Sequence, residues 1–528
     1  MFLNKEKLYK EVPVLFGILS YAYLINWYSG NIGVIPIDSF GFLDTGHSIL
    51  NGHLPIRDFW IFTGLTVDYM ESAFLYLFGN NWNSHLAHSS FMNIIATMGF
   101  YFFLKEYNFK TSYIIFYCIC FATLCYPLSG TPFAYIHAYI FSLLAIFTIL
   151  AAIKKKNNIL WFLFPHISLL AFLSMQTPTA YILLILSFLT LTYFIKYKEF
   201  KNLISLLFGC FSSIFLFILF LFLTKTPLSN FIYQYILFPL TIGEGRITSN
   251  ELAYVSLIDQ LNFKRLIGEF KFIHVFLFPL IFFSFKEIKK NNGNLNILNF
   301  TIIFSVLAFF FNQLVTANQI YIFSLIPILG AVIQINLINL KINPKIFYAL
   351  ILIILFATVK FHYRFNIERK FHDLENIDKS NAINANEISK NFKKLKWISK
   401  FDSPKNELSV IKRAMEEISN DSRKKILITH YQFMSTILDE PLHILNRWYL
   451  WDNNTHPTEN HRYFENYRSL VNKNIKSNRI KVIYLLGQEN EIKLENIKNY
   501  FTDTCFESKI VIPNKFSLHE LVSCKNKN

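Results

Sequence analysis

Apolar runs long enough to cross a bilayer recur from the start of the chain to about residue 361, and they decide the fold class before any motif is considered. Backbone in hydrocarbon must satisfy its own N–H and C=O groups, so such runs are α-helices. The pattern predicts spans near 12–28, 84–104, 112–128, 132–153, 158–174, 178–195, 202–224, 271–285, 295–312, 318–336 and 345–361. Hydrophobic residues make up 53% of the 528, more than a soluble protein can hide. Past Phe361 the composition turns to Lys, Asn, Glu and Ser with only short apolar runs. The expected organisation is therefore a membrane domain over 1–361, a connecting segment over 362–405 and a soluble domain over 406–528.

The net charge of +16 would suit nucleic acid, but the placement of the lysines argues for a membrane. Lys5, Lys7 and Lys10 precede the first span, and Lys105 and Lys110 follow the second. Lys154–Lys156, Lys196, Lys198, Lys201, Lys286, Lys289, Lys290, Lys341 and Lys345 mark every later loop on the same side. With that side cytoplasmic, the positive-inside rule holds throughout, the N-terminus is inside, and eleven crossings leave the C-terminal domain outside. The segment 63–79 is apolar but carries Asp68 and Glu71, and counting it as a span would reverse the lysines; it is expected to lie on the outer leaflet as an interfacial helix. The first run has no small-residue cleavage site and reads as an uncleaved anchor. The protein is thus expected in the cell (inner or plasma) membrane as a multi-pass protein that does not bind nucleic acid.

In the soluble part, the runs 425–429 and 480–486 read as strands and 406–418, 459–477 and 492–500 as helices, a small α/β domain. Cys505 and Cys524 are its only cysteines, and an outward domain would let them pair as a disulfide. Cys118, Cys120, Cys125 and Cys210 lie in spans, as small apolar residues. His430, His443, His456 and His461 lack metal-ligand spacing and read as ordinary histidines. No glycine-rich phosphate loop, HExxH or CxxC is present, so an energy-rich substrate is expected from the membrane.

The stretch after the first span is the chemical exception. Asp38, Asp44 and Asp58 gather there with Arg57 at one membrane face, in a chain otherwise almost wholly apolar. Asp38 is the candidate catalytic base, since partial desolvation raises a carboxyl pKa towards a useful range. Asp44 and Asp58 read as supporting carboxylates or ligands of a divalent cation (Mg or Mn), and Asp58 equally as the local partner of Arg57. Arg57, Arg246 and Arg265 are the only arginines before Phe361, and all fall in outer loops against the positive-inside trend. A guanidinium grips phosphate in two places, so these three are candidates to hold a lipid phosphate; attraction to anionic outer-leaflet head groups, or pairing with Glu244 or Asp259, is the alternative. Tyr135, His137, Gln176, Gln313, Asn318 and Gln319 mark span ends on the same face and either line a sugar pocket or bond between helices.

The loop Asp38-Ser39-Phe40-Gly41 through Ile49-Leu50-Asn51-Gly52, then Leu54-Pro55-Ile56-Arg57-Asp58-Phe59-Trp60 and Leu75-Tyr76-Leu77-Phe78-Gly79, resembles the first extracytoplasmic loop of GT-C glycosyltransferases. The likeness is to the dolichyl-phosphate-mannose–protein mannosyltransferase-like bacterial members. Ser39 stands where a second acid is usual, and Leu65 where Gly-Pro is common. The resemblance implies a polytopic α-helical fold with two interfacial helices in this loop, and Asp38 at the catalytic position. It also implies a polyprenyl-phosphate sugar as donor to a glycan, lipid or protein acceptor. The expected activity is inverting sugar transfer on the outer face. A flippase of lipid-linked glycans, a polysaccharide polymerase or ligase, and a non-catalytic membrane scaffold are the alternatives. Charges in loops rather than mid-span, and no repeat between halves, weigh against transport.

Overall fold

The computed structural model describes residues 5–126, 130–248, 257–289, 293–316, 321–487, 492–502 and 504–524. It is mainly helical, with a small sheet near the C-terminus. The chain opens with α1 (Lys5–Ser29), then three helices of the first loop: α2 (Pro36–Ser39), α3 (Gly41–Leu50) and α4 (Leu65–Phe78). Next come α5 (Trp82–Glu106), α6 (Thr111–Cys125), α7 (Ala134–Lys155), α8 (Asn158–Ser174), α9 (Gln176–Tyr197) and α10 (Phe200–Leu223). A second loop carries α11 (Leu228–Phe231), α12 (Phe238–Thr248) and α13 (Leu257–Gln260). It is followed by α14 (Lys271–Lys289), α15 (Gly293–Thr316), α16 (Leu325–Asn339) and α17 (Lys345–His362). Each of the eleven predicted spans overlaps one of these helices, although the span expected at 318–336 is met by a helix that begins only at Leu325; residues 127, 128 and 318–320 of the predicted spans lie outside the described residues.

Among the described residues, five helices are long and apolar enough to cross a membrane: α7, α9, α10, the stretch Leu295–Thr316 of α15, and the stretch Lys345–His372 that begins with α17. Burial separates centre from perimeter. In α7 83% of the most apolar window is buried, whereas in α10 it is 17%, with Phe208, Phe211, Phe215 and Phe222 all exposed. A contiguous apolar surface of that extent suits lipid, not water. Lys105 pairs with Glu11 (2.6 Å), Lys155 with Glu106 (2.5 Å) and Lys156 with Glu199 (2.7 Å). These bonds gather the start of α1 and the α5–α6, α7–α8 and α9–α10 turns on one face of the bundle.

The opposite face carries the first loop and the C-terminal part. There β1 (Ile383–Asn384) pairs with β2 (Lys396–Trp397). The main sheet contains β3 (Lys425–Thr429), β4 (Val482–Leu486), β5 (Thr504–Ile512) and β6 (Phe516–Ser523) in the order β3-β4-β6-β5. The β3–β4 pair is parallel and the others antiparallel. The sheet is flanked by α18 (Pro404–Asn420), α19 (Met434–Leu438), α20 (Phe464–Asn478) and α21 (Leu494–Ile497). Cys505 and Cys524 are joined in a disulfide that ties β5 to the end of β6.

Successive residues of a strand point to opposite faces, and here both faces are covered, which is why β3 and β4 read as unbroken apolar runs. Leu427, Val482, Tyr484 and Leu486 face one core with Leu408, Ile411 and Ile418 of α18. Val34, Phe40, Leu43, Trp82 and Leu86, all from the first loop and the start of α5, complete that same core. Ile426, Ile428, Ile483 and Leu485 face a second core with Tyr467 and Val471 of α20, completed by Trp60 of the first loop and Phe238 and Ile242 of α12. The sheet therefore has no core made of its own residues alone.

Candidate functional site

Asp38 stands on a one-turn helix whose geometry is fixed locally. Pro36 supplies a preset φ at the first position. The Asp38 and Ser39 amides donate to the Ile35 carbonyl (2.9 and 2.8 Å), and the Ile35 amide donates back to Ser39 Oγ (3.0 Å). The Asp38 side chain is half-buried, and among the described residues nothing hydrogen-bonds its carboxylate. Burial lifts its pKa to about 6; Lys400 and His430 pull it back and Asp373 pushes it further up. Lys400 is itself paired with Asp373 (2.6 Å).

Several of the sequence candidates converge around Asp38 through Tyr321. The Tyr321 hydroxyl lies in the fields of Asp38, Tyr135, Arg265 and Asp373. Its ring meets that of Tyr135 (5.2 Å) and its amide donates to Gln313 Oε1 (2.8 Å). Tyr135 in turn faces the Asn312 amide. Arg265 pairs with Glu269 (2.6 Å) and donates to the Gln313 carbonyl (3.4 Å). Arg246, on α12, faces Asp452 and Tyr181, and Tyr181 packs on Phe311 next to Asn312 (5.2 Å). Asn318 and Gln319 lie outside the described residues.

Other candidates are committed elsewhere. Arg57 grips Asp58 with Nε and Nη2 and donates to the carbonyls of Gly52 (2.8 Å) and Thr224 (3.1 Å). Asp58 also accepts from the Leu54 amide (2.8 Å), so the pair staples its own loop. Gln176 donates to the carbonyls of Phe62 (2.8 Å) and Tyr235 (2.7 Å), and His137 faces His88 (3.0 Å) inside the bundle. Asp44 is buried and accepts from Ser435 of α19; burial pushes its pKa up to about 7 against that bond. Asp44 and Asp58 are thus engaged with Ser435 and Arg57, and among the described residues no group of three His, Cys, Asp or Glu is placed to hold a metal ion.

Three residues escape a local reading. Arg447, between β3 and β4, is fully buried; it pairs with Asp68 of α4, donates to the Thr63 carbonyl (2.6 Å) and covers the Phe42 ring (4.3 Å). Burial pushes Asp68 up, while Arg447 and Thr45 pull it back. Gly64 makes the fit possible: its φ is +79°, and a Cβ there would lie 2.7 Å from both Arg447 Nη1 and the Phe42 ring. Glu71, one turn beyond Asp68, is sealed against His85 and His88 of α5 (2.7 Å each). Burial alone would raise its pKa, but the two imidazoles hold it down at about 2. Carboxylates at i, i+3 within an apolar helix, and histidines at i, i+3 in the next, were the available signals.

An apolar cavity of about 490 Å³ lies between α4, α8 and α10, lined by Leu65, Tyr69, Met70, Leu169, Leu173, Leu216, Phe217 and Phe220 among others. Arg57 lies in the field of Tyr69, one of the lining residues, and donates to the Thr224 carbonyl at the close of α10. Neither the known protein families nor the curated proteins include a match to this chain.

Proposed function

We propose that the protein is an integral-membrane glycosyltransferase that moves a sugar, with inversion, from a polyprenyl-phosphate donor to an acceptor on the extracytoplasmic face. The observation that carries the reading is the Asp38 carboxyl: half-buried, without a hydrogen-bond partner among the described residues, and set among Lys400, His430 and Tyr321. A base with a pKa of about 6 is ionised at neutral pH yet basic enough to accept a proton. In the proposed step the acceptor hydroxyl attacks the anomeric carbon from the side opposite the phosphate. Its proton passes to Asp38, a new C–O bond forms, and the bond to the phosphate breaks, the electron pair leaving with the lipid phosphate. Arg265 and Arg246 supply positive charge for that leaving group, and Tyr135, Asn312 and Gln313 supply polar contacts for the sugar. The cavity between α4, α8 and α10 suits an isoprenoid chain.

In this reading the eleven long helices cross the membrane, the lysine-rich turns are cytoplasmic and the disulfide-bearing sheet is outside, where such a bond persists. The test is sugar transfer in membranes carrying wild type or Asp38→Asn, with a panel of radiolabelled polyprenyl-phosphate sugars. Transfer by the wild type that falls roughly 10²–10⁴-fold in the variant, at equal protein level, is expected for a general base. Equal transfer by both would remove Asp38 from the chemistry.

A further inference from the structure

Two arginines are fully buried among the described residues, and only one of them is matched. Arg447 has Asp68, the Thr63 carbonyl and the Phe42 ring around it. Arg369, 1% exposed, has no carboxylate partner among the described residues, and burial alone acts on its charge. Its Nε and Nη1 are sealed without an acceptor. Its one hydrogen bond runs from Nη2 to His372 Nδ1 (3.4 Å). A guanidinium only donates, so that Nδ1 accepts, and the neutral His372 imidazole carries its hydrogen on Nε2. His372 is also 1% exposed, and its Nε2 has no partner either. Two adjacent side chains therefore hold N–H groups on Nε, Nη1 and the imidazole Nε2 that end on no acceptor.

The fold sets these donors at the outer end of α17. That helix closes at His362, a wider turn (Tyr363–Ile367) continues it, and Arg369 and His372 belong to the short turn that follows. Arg369 and Asp373 bracket the short turn with φ of +60° and +55°, a region L side chains seldom adopt. Packing rather than local preference thus turns the arginine inward. Gly33 of the first loop lies against it: a Cβ there would be 3.4 Å from His372 Nδ1 and 2.6 Å from Leu374 Cδ1. The acids that follow are engaged, Asp373 by Lys400 (2.6 Å) and Glu375 by Lys370 (2.5 Å). At the same end of α17, Lys360 lies in the fields of Lys271 and Arg364, beside the exposed Tyr363 and Ile367. Basic clusters at the end of membrane helices, edged by apolar side chains, attract anionic phosphate groups.

We propose that Arg369 and His372 form a binding site for a phosphate oxyanion, which supplies the counter-charge and the acceptors that the protein itself does not. A buried guanidinium without a counter-charge is unfavourable, and water would bring acceptors but no charge. A planar guanidinium matches phosphate oxygens two at a time, and the imidazole Nε2–H adds a further donor. Bound phosphate fixes a segment that also sets Phe371 against Tyr321 (4.9 Å) and Asp373 in the field of Asp38. A free phosphate ion and a phospholipid head group offer the same oxygens, and neither requires that the protein transfer sugar.

The experiment is thermal melting of the full chain, washed free of lipid in a neutral detergent and a phosphate-free buffer. One arm adds sodium phosphate, with sodium chloride at equal ionic strength as its control. The other adds phosphatidylglycerol in mixed micelles, with an uncharged glycolipid as its control. The wild type is expected to melt roughly 2 °C or more above the control in at least one arm. A rise with sodium phosphate identifies the free ion, and a rise with the phospholipid alone identifies a head group. Arg369→Met removes the buried charge, so its melting should respond in neither arm. His372→Leu removes one donor and should need roughly tenfold or more of the same additive for half the rise. A merely structural histidine would not move that midpoint, which decides the matter if Arg369→Met fails to fold. No rise over the controls in either arm, an equal rise in Arg369→Met, or an unmoved midpoint in His372→Leu would overturn the proposal.

Discussion

Asp38 and Asp44 are both carboxyls lifted by burial, yet their surroundings give them different uses. Asp38 has no hydrogen-bond partner among the described residues, so its ionisation should appear in rate. Sugar transfer is expected to rise with pH through about 6 and then level off, as read from a pH–rate profile. Asp44 is closed over by Ser435, so its ionisation should appear in stability. Its folded pKa of about 7 exceeds the ordinary 3.8, so the folded protein holds a proton that the unfolded chain releases. Stability contributed by that proton is complete at low pH and lost as pH rises from about 4 through 7. Asp44→Asn should accordingly melt like the wild type near pH 3.5 and at a higher temperature near pH 8, in thermal scans of the detergent-purified protein. The acidic residues of the first loop were legible in the sequence because charge stands out in an apolar chain. Their partners were not: Ser435 is 391 positions from Asp44, and no local pattern encodes that distance.

Among the elements, α4 shows what patterning reveals and what it conceals. Its exposed end, Tyr76, Leu77 and Phe78, suits a helix lying at the outer leaflet. The inward turn of Asp68 and Glu71 becomes intelligible only when Arg447 and the α5 histidines are seen against them. Removing one member of a buried ion pair strands the other, at a cost of about 3–5 kcal/mol. Arg447→Met should therefore destabilise the protein by about that much and open the C-terminal part to protease; adding Asp68→Asn should recover much of the loss. Comparing melting and digestion of the single and double variants checks both statements. The strands show the same division. β3 and β4 were legible as unbroken apolar runs, whereas β5 and β6 were not, because β5 is largely exposed and polar residues punctuate both. Their pairing is set by register and by the disulfide rather than by hydropathy.

At the scale of the whole molecule, the lysine-rich turns and the sheet lie on opposite faces of the helical bundle. If the bundle spans the membrane, a cysteine placed at Lys390 should react with an impermeant maleimide in intact spheroplasts. One placed at Lys198 should react only after lysis. Labelling of both, or of the second alone, in intact cells would reverse or dismantle the topology. The helix count was legible because each apolar run has the length of one helix. The union of the two parts was not, because the residues that cover the sheet, Phe40, Trp60 and Trp82, read as loop and helix-start aromatics until the sheet is laid against them.

That shared packing places a delay in the life of the chain. The first loop is synthesised hundreds of residues before its counterpart; Asp68 precedes Arg447 by 379 positions. At roughly 5–20 residues per second, a ribosome needs about 20–75 s to cover that stretch. Throughout that interval the early aromatics and carboxylates wait without the surface they are shaped for. A chain interrupted before residue 447 would carry every long apolar helix described above and still lack a finished sheet-bearing face. Assembly of the candidate site is thereby coupled to completion of translation, and truncated products are left with an exposed aromatic surface for quality-control proteases to find.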